Sequence, residues 1–249
     1  MLFRSQAATL VVRSDASMVA FYVGQTKVHY AVRSPDGAWG TETMLDLDVP
    51  PNLAGPQAVL GANDGVHVAY YGTDGTIWYR RLARDGTLTP RERLATGAGT
   101  TRAEYGAVLP LVYLPQSDTV AILYRLADGR LWERRVTAGG PPTPAVRVTD
   151  RDVIRNAVDS QQPAADAVAD GQTVHVVFVE ASSRSLFSTF DRDGWQPSVL
   201  RVDRILGSWV RGNIYTRPDG VRVYGYVYDA GSDGGAGMNR FAEIVLERR

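Results

Sequence analysis

The chain has 249 residues, with 27 basic and 27 acidic side chains, no cysteine and three histidines. Zero net charge provides no field to gather nucleic acid or anionic lipid, so neither nucleic acid nor a membrane is an expected partner. The missing cysteines exclude a disulfide framework, a thiolate nucleophile and cysteine-ligated zinc, and three scattered histidines make a poor metal site, so no metal or cofactor is expected.

The opening residues Met1-Leu2-Phe3-Arg4-Ser5-Gln6 lack the ~7–15-residue apolar stretch of a secretory signal, and no apolar run approaches the ~18 residues of a membrane span. A cytoplasmic protein is expected, or a secreted one if a leader has been removed. The next elements repeat. Val19-Ala20-Phe21-Tyr22 lies over Val68-Ala69-Tyr70-Tyr71 at an offset of 49, which carries Val28-His29-Tyr30 onto Ile77-Trp78-Tyr79 and Asp36-Gly37 onto Asp85-Gly86. A third copy runs through Thr119-Val120-Ala121-Ile122-Leu123-Tyr124, Asp128-Gly129 and Leu131-Trp132. A fourth holds Val174-His175-Val176-Val177-Phe178 and Leu186-Phe187, and a fifth Val221-Arg222-Val223-Tyr224-Gly225-Tyr226. Five copies of roughly 50 residues account for the whole chain.

Each copy alternates apolar and polar residues with period two, is rich in Val, Tyr and Phe, and is broken by turn residues. Nine Asp-Gly dipeptides punctuate the copies, and Asp-Gly suits type I′ hairpins, where both central residues need positive φ. In the fourth copy the strands are expected at 163–169, 173–180, 185–191 and 195–202. Four antiparallel strands repeated in series make the blade of a propeller. The chain is therefore predicted to be all-β: one five-bladed β-propeller domain over 1–249, with four-stranded blades at about 8–50, 57–95, 105–149, 162–203 and 211–249. The fifth blade ends on its third strand, so residues 2–5 are expected to supply its outer strand and close the ring.

The segment Gly72-Thr73-Asp74-Gly75-Thr76-Ile77-Trp78-Tyr79 resembles the repeat of bacterial fucose-binding and tectonin-like propeller lectins, where a Gly-x-Asp-Gly turn leads into an apolar-Trp-aromatic strand. Asp128-Gly129-Arg130-Leu131-Trp132 matches it in part. Ser34-Pro35-Asp36-Gly37-Ala38-Trp39 is similar to a degenerate Asp-box of the sialidase-like propellers, but lacks the residue between Asp and Gly and brings Trp39 one place early. These resemblances cover the chain as architecture and one or two blades as motif. They imply a propeller, point toward carbohydrate, and identify no activity.

Residues that recur at equivalent positions read as scaffold. His29, Trp78, Trp132 and Phe187 share a third-strand position suited to a packed ring. His67 and His175 share a second-strand position with Met18, Thr119 and Arg222. A further recurring position opens each innermost strand: Gln6, Gln57, Tyr105, Gln162 and Arg211 are expected to ring one mouth of the central channel. The long connections 46–56, 95–104, 149–161 and 201–210 lead into these strands and exceed what joining requires. One carries Trp209, which fits no repeated position and precedes Arg211 and Asn213. An aromatic platform beside a fork of donors suits a sugar, so these three join the ring as candidate ligand-binding residues.

If the protein is an enzyme, Glu104, Asp152 and Asp166 are the acids to test for glycoside hydrolysis, and a Tyr105/Arg211/acid group for a lyase. No Ser-His-Asp spacing, phosphate loop or calcium loop is present. The reading preferred from sequence is a lectin-like protein binding a polar, carbohydrate-like ligand or glycan on the long-loop face. An enzyme acting on a glycan and a protein-interaction platform are the alternatives, and the oligomeric state is left open.

Overall fold

The computed structural model describes residues 8–24, 26–47, 55–98, 109–137, 139–154, 164–205, 207, 209–230 and 239–246, and all structural statements below are made of these residues. They form five antiparallel sheets. The first holds β1 (Ala8–Val12), β2 (Met18–Gly24), β3 (Lys27–Arg33) and β4 (Thr43–Asp46). The second holds β5 (Gln57–Leu60), β6 (Val66–Tyr71), β7 (Ile77–Leu82) and β8 (Glu92–Ala95). The third holds β9 (Leu111–Leu114), β10 (Thr119–Arg125), β11 (Leu131–Thr137) and the short β12 (Val146–Arg147). The fourth holds β13 (Ala165–Asp170), β14 (Thr173–Val179), β15 (Leu186–Phe190) and β16 (Val199–Val202), and the fifth β17 (Val210–Thr216), β18 (Arg222–Asp229) and β19 (Asn239–Val245). Strand order follows chain order in every sheet. No described helix is long and apolar enough to cross a membrane.

The sheets pack face to face in series, with the first strands β1, β5, β9, β13 and β17 adjacent in that order. Val19 and Phe21 meet Val66, Val68 and Tyr70 between the first two sheets. Ala69 and Tyr71 meet Val120, Ile122 and Tyr124 in the next interspace, and Ala121 and Leu123 then meet Val174, Val176 and Phe178. Val177 and Val179 meet Tyr224, Tyr226 and Tyr228 in the last. Each inner sheet thus buries both faces. This explains why β6 and β10 are buried along their whole length and read as continuous apolar runs, not as alternation.

Pairing register corrects two readings, and turn geometry a third. Tyr22 pairs with His29, but Tyr70 pairs with Trp78, so the second strands of the first two copies align at an offset of 48 and the third strands at 49. The connection between β6 and β7 is one residue longer, and a one-residue slip exchanges the two faces of a strand. His67 and His175 do share a position, but with Val19 and Ala121, each lying three residues along from the shared ring site on the partner strand; Met18 and Thr119 do not share it. The ring position itself holds: His29, Trp78, Trp132 and Phe187 each lie opposite an aromatic residue, Tyr22, Tyr70, Tyr124 and Phe178.

The Asp-Gly turns are the third correction. At Asp36, Asp74, Asp85, Asp128 and Asp219 the carboxylate accepts the amide two residues on, which holds the Asp at negative φ. Only the following glycine has positive φ (Gly37, Gly75, Gly86, Gly129 and Gly220). The amide of each of these glycines closes a turn on the carbonyl three residues back, so these are type I turns with a left-handed glycine and not type I′. Asp193-Gly194 has positive φ at both residues, as the type I′ expectation requires.

Candidate ligand-binding groove

Among the predicted site residues, Gln6, Glu104, Tyr105 and Gln162 lie outside the described residues, as does the expected closing strand 2–5. Gln57 and Arg211 do not share a register. Gln57 pairs with Ala69, whereas Arg211 pairs with Val227, and the fifth-sheet counterpart of Gln57 is Asn213, opposite Gly225. β5 has four residues and β17 seven, so counting from strand starts misplaces equivalent positions. The register set is Thr9, Gln57, Asp166 and Asn213.

Its members serve the seams between sheets. Thr9 Oγ1 donates to the Pro56 carbonyl at the head of the second sheet (2.7 Å). Asp166 Oδ2 accepts the Gly212 amide of the fifth sheet (2.7 Å), and its Oδ1 lies 3.4 Å from Arg211 Nη1. Asp166 is buried, and burial raises its proton affinity against the opposing pull of Arg211 and the Gly212 amide. Burial, then the Asp166 charge, raise the neighbouring Tyr224 hydroxyl. Asp152 is engaged elsewhere, exposed and paired with Arg130 (3.1 Å). Trp209 is half-buried and its carbonyl accepts the Asp229 amide (3.3 Å), while Asn213 accepts the amide of Ile214 (2.8 Å).

A groove of about 150 Å³ opens between the fourth and fifth sheets. One wall carries His175, Phe190, Arg192 and Arg201, and the other Ile244 and Leu246, with Asp170 at the rim. Its residues sit at the hairpin end of the sheets: Asp170 pairs with Thr173 across the tight β13–β14 turn, and the Leu246 amide reaches the Arg222 carbonyl at the start of β18. Arg211 pairs near the other end of β18. The groove thus lies at the end opposite the long connections that lead into the first strands.

Beside the groove, one repeated position differs between the sheets. Tyr30, Tyr79, Glu133 and Ser188 are equivalent, lying opposite Phe21, Ala69, Leu123 and Val177 and facing the following sheet. In the second sheet the Tyr79 hydroxyl is 2.6 Å from His67 Nδ1, and the His67 ring stacks between Tyr79 and Tyr113. In the third, Glu133 accepts from Trp195 Nε1 of the fourth sheet (3.0 Å) and pairs with Arg135 (2.8 Å). Both interspaces are filled. In the fourth sheet the residue is the small, buried Ser188, whose Oγ accepts Arg201 Nε (2.5 Å).

His175 and Phe190 form a cross-strand pair with stacked rings at 5.8 Å, and the Arg192 guanidinium lies 5.8 Å from the Phe190 centroid. The Arg201 charge reaches across the interspace to Tyr226, where it opposes the larger upward push of burial on that hydroxyl. An apolar ring, two guanidinium groups and an apolar far wall are thus gathered in one hollow. Sequence reasoning missed it, although one signal existed: Leu186-Phe187-Ser188 stands where the other copies read Ile77-Trp78-Tyr79 and Leu131-Trp132-Glu133.

No protein-family model and no curated protein matches the chain. In structure it is similar to the SapL1 lectin solved with alpha methyl fucoside, at TM-score 0.60 and 13% identity over 96% of this chain and 78% of that one. It is similar to the fucose-specific lectin of Aleuria aurantia at TM-score 0.55 and 12% identity over 96% and 77%. The intramolecular trans-sialidase of Ruminococcus gnavus is a further likeness, at TM-score 0.52 and 14% identity over 87% of this chain and 50% of that one. The fold is of the propeller type seen in these lectins and sialidases, as the sequence resemblance implied.

Proposed function

We propose that the protein binds a polar, carbohydrate-like ligand and acts as a lectin-like module. The groove between the fourth and fifth sheets carries this reading. A sugar presents apolar C–H faces edged by hydroxyls, and the groove sets the Phe190 ring beside guanidinium donors. The binding of fucosides by similarly folded lectins supports the class of ligand. Tyr79 and Glu133 fill the equivalent place in the second and third sheets, so among the described residues those interspaces do not repeat the groove.

The test is to fill the hollow. Ser188→Tyr restores the side chain found in the second sheet and should abolish binding in a glycan array and in titrations with neutral and acidic monosaccharides, alpha methyl fucoside among them. Phe190→Ala should weaken binding by about 1–3 kcal/mol. Wild type should saturate at one ligand per chain, and a thermal melt of Ser188→Tyr checks that the buried site accommodates the ring. Binding that survives Ser188→Tyr but is lost in Trp209→Ala or Arg211→Ala would move the site to the long-loop end.

A further inference from the structure

We infer that the groove selects a saccharide bearing a carboxylate, of the uronic-acid class; this rests on the reading of the groove as a sugar site. The lining carries two guanidinium groups, Arg192 and Arg201, against one carboxylate, Asp170. Asp170 is already engaged by Arg222 (2.7 Å), so its charge is met within the protein. The lining also holds Thr173 and His175, which can accept as well as donate, but its full charges are the two guanidinium groups, and these offer donors only. A carboxylate accepts without donating, and its two oxygens match the planar fork of an arginine.

Arg201 is the better placed of the two to supply that fork. Its Nε is held by Ser188 Oγ, which fixes the head in the interspace rather than leaving it to sweep through solvent. Ser188, behind the hollow, therefore orients a charge that lines it. In the third sheet the equivalent Glu133 also holds an arginine by its Nε, Arg135, but there the carboxylate meets the guanidinium charge, whereas the Ser188 hydroxyl leaves the charge of Arg201 unmatched. Arg192 lies over Phe190, beside the ring on which the pyranose would rest.

The experiment compares glucuronic and galacturonic acid with their methyl esters and with glucose and galactose, by titration at low and high salt. The acids should bind at least ~10-fold tighter than the esters at low salt, with the margin shrinking as salt rises. Arg201→Ala should erase the margin, and Arg201→Lys, which keeps the charge but not the fork, should restore only part of it. Arg201 is exposed overall but bonds the buried Ser188, so a thermal melt on each variant checks that its loss leaves the packed interspace intact. Equal or tighter binding of the esters or neutral sugars would overturn the carboxylate preference while the sugar-binding reading stands. A preference for acids that persists in Arg201→Ala would overturn the assignment to Arg201. No binding by any sugar would overturn both readings.

Discussion

His67 shows how the filled interspaces set the chemistry of single residues. Its ring is fully buried against Tyr79 and Tyr113, and a Cβ added to Gly61 would stand 2.4 Å from its Nε2, so no other residue fits at that turn. Burial first, then the Arg81 charge, push its pKa down to about 4, against a smaller upward pull from Asp118. The folded state therefore resists a proton that the unfolded chain takes near pH 6.5. Stability from this residue is level above the unfolded pKa, falls as the pH drops from about 6.5 to 4, and levels again below. The gap corresponds to a loss on the order of 3 kcal/mol. Urea unfolding at a series of pH values should show that decline, and His67→Leu should flatten the portion between pH 6.5 and 4.5 whatever its absolute stability. Its counterpart His175 is only half-buried, because Ser188 leaves it without the tyrosine that encloses His67.

At the scale of the element, the Asp-Gly turns divide the work between two residues. The Asp caps the amide two places on, and the glycine supplies the left-handed backbone that brings the chain back into the sheet. In the third sheet the turn does more: Asp128 also accepts Trp132 Nε1 (3.1 Å), tying the turn to the ring position of β11. Gly86 (φ 89°) has open space where a Cβ would go, whereas at Gly129 (φ 87°) a Cβ would stand 3.1 Å from the Asp152 carboxyl. Gly86→Ala should thus cost about 1 kcal/mol, the strain of the backbone alone. Gly129→Ala should cost more, since it also presses on the Arg130–Asp152 pair. Equal losses in chemical denaturation would show that the Asp152 contact yields freely. These turns were half legible in the sequence: their places follow from the dipeptides, but whether the Asp adopts positive φ depends on what its carboxylate finds to bind.

At the scale of the whole molecule, the two end sheets carry apolar side chains on the faces turned away from their neighbours. Leu10 and Val12 are more than half exposed on the first sheet, as are Phe241 and Val245 on the fifth, with the Tyr215 ring tilted against Phe241 at 6.5 Å. In a closed ring these faces meet. Each buried side chain of this kind contributes about 1.5–3 kcal/mol, so Phe241→Glu should lower the thermal midpoint markedly, as should deletion of the proposed closing strand 2–5. An unchanged midpoint in both variants would show that the first and fifth sheets do not close on one another in solution.

The repeat, its length and the turn positions determined the five-sheet architecture, because period-two apolar patterning and Asp-Gly punctuation act locally and each copy carries its own instructions. The shared ring position of Trp78, Trp132 and Phe187 was legible for the same reason. The groove was not. It depends on which side chain of one sheet reaches into the space before the next, and a one-residue difference in a hairpin changes which residues face that space. Asp166 illustrates the same dependence: an acid that stands out in sequence accepts the Gly212 amide in the fold, lies beside Arg211 and holds two sheets together. Whether a polar residue becomes seam or site is decided by the partner it meets across the interspace, and that partner lies some 50 residues away along the chain.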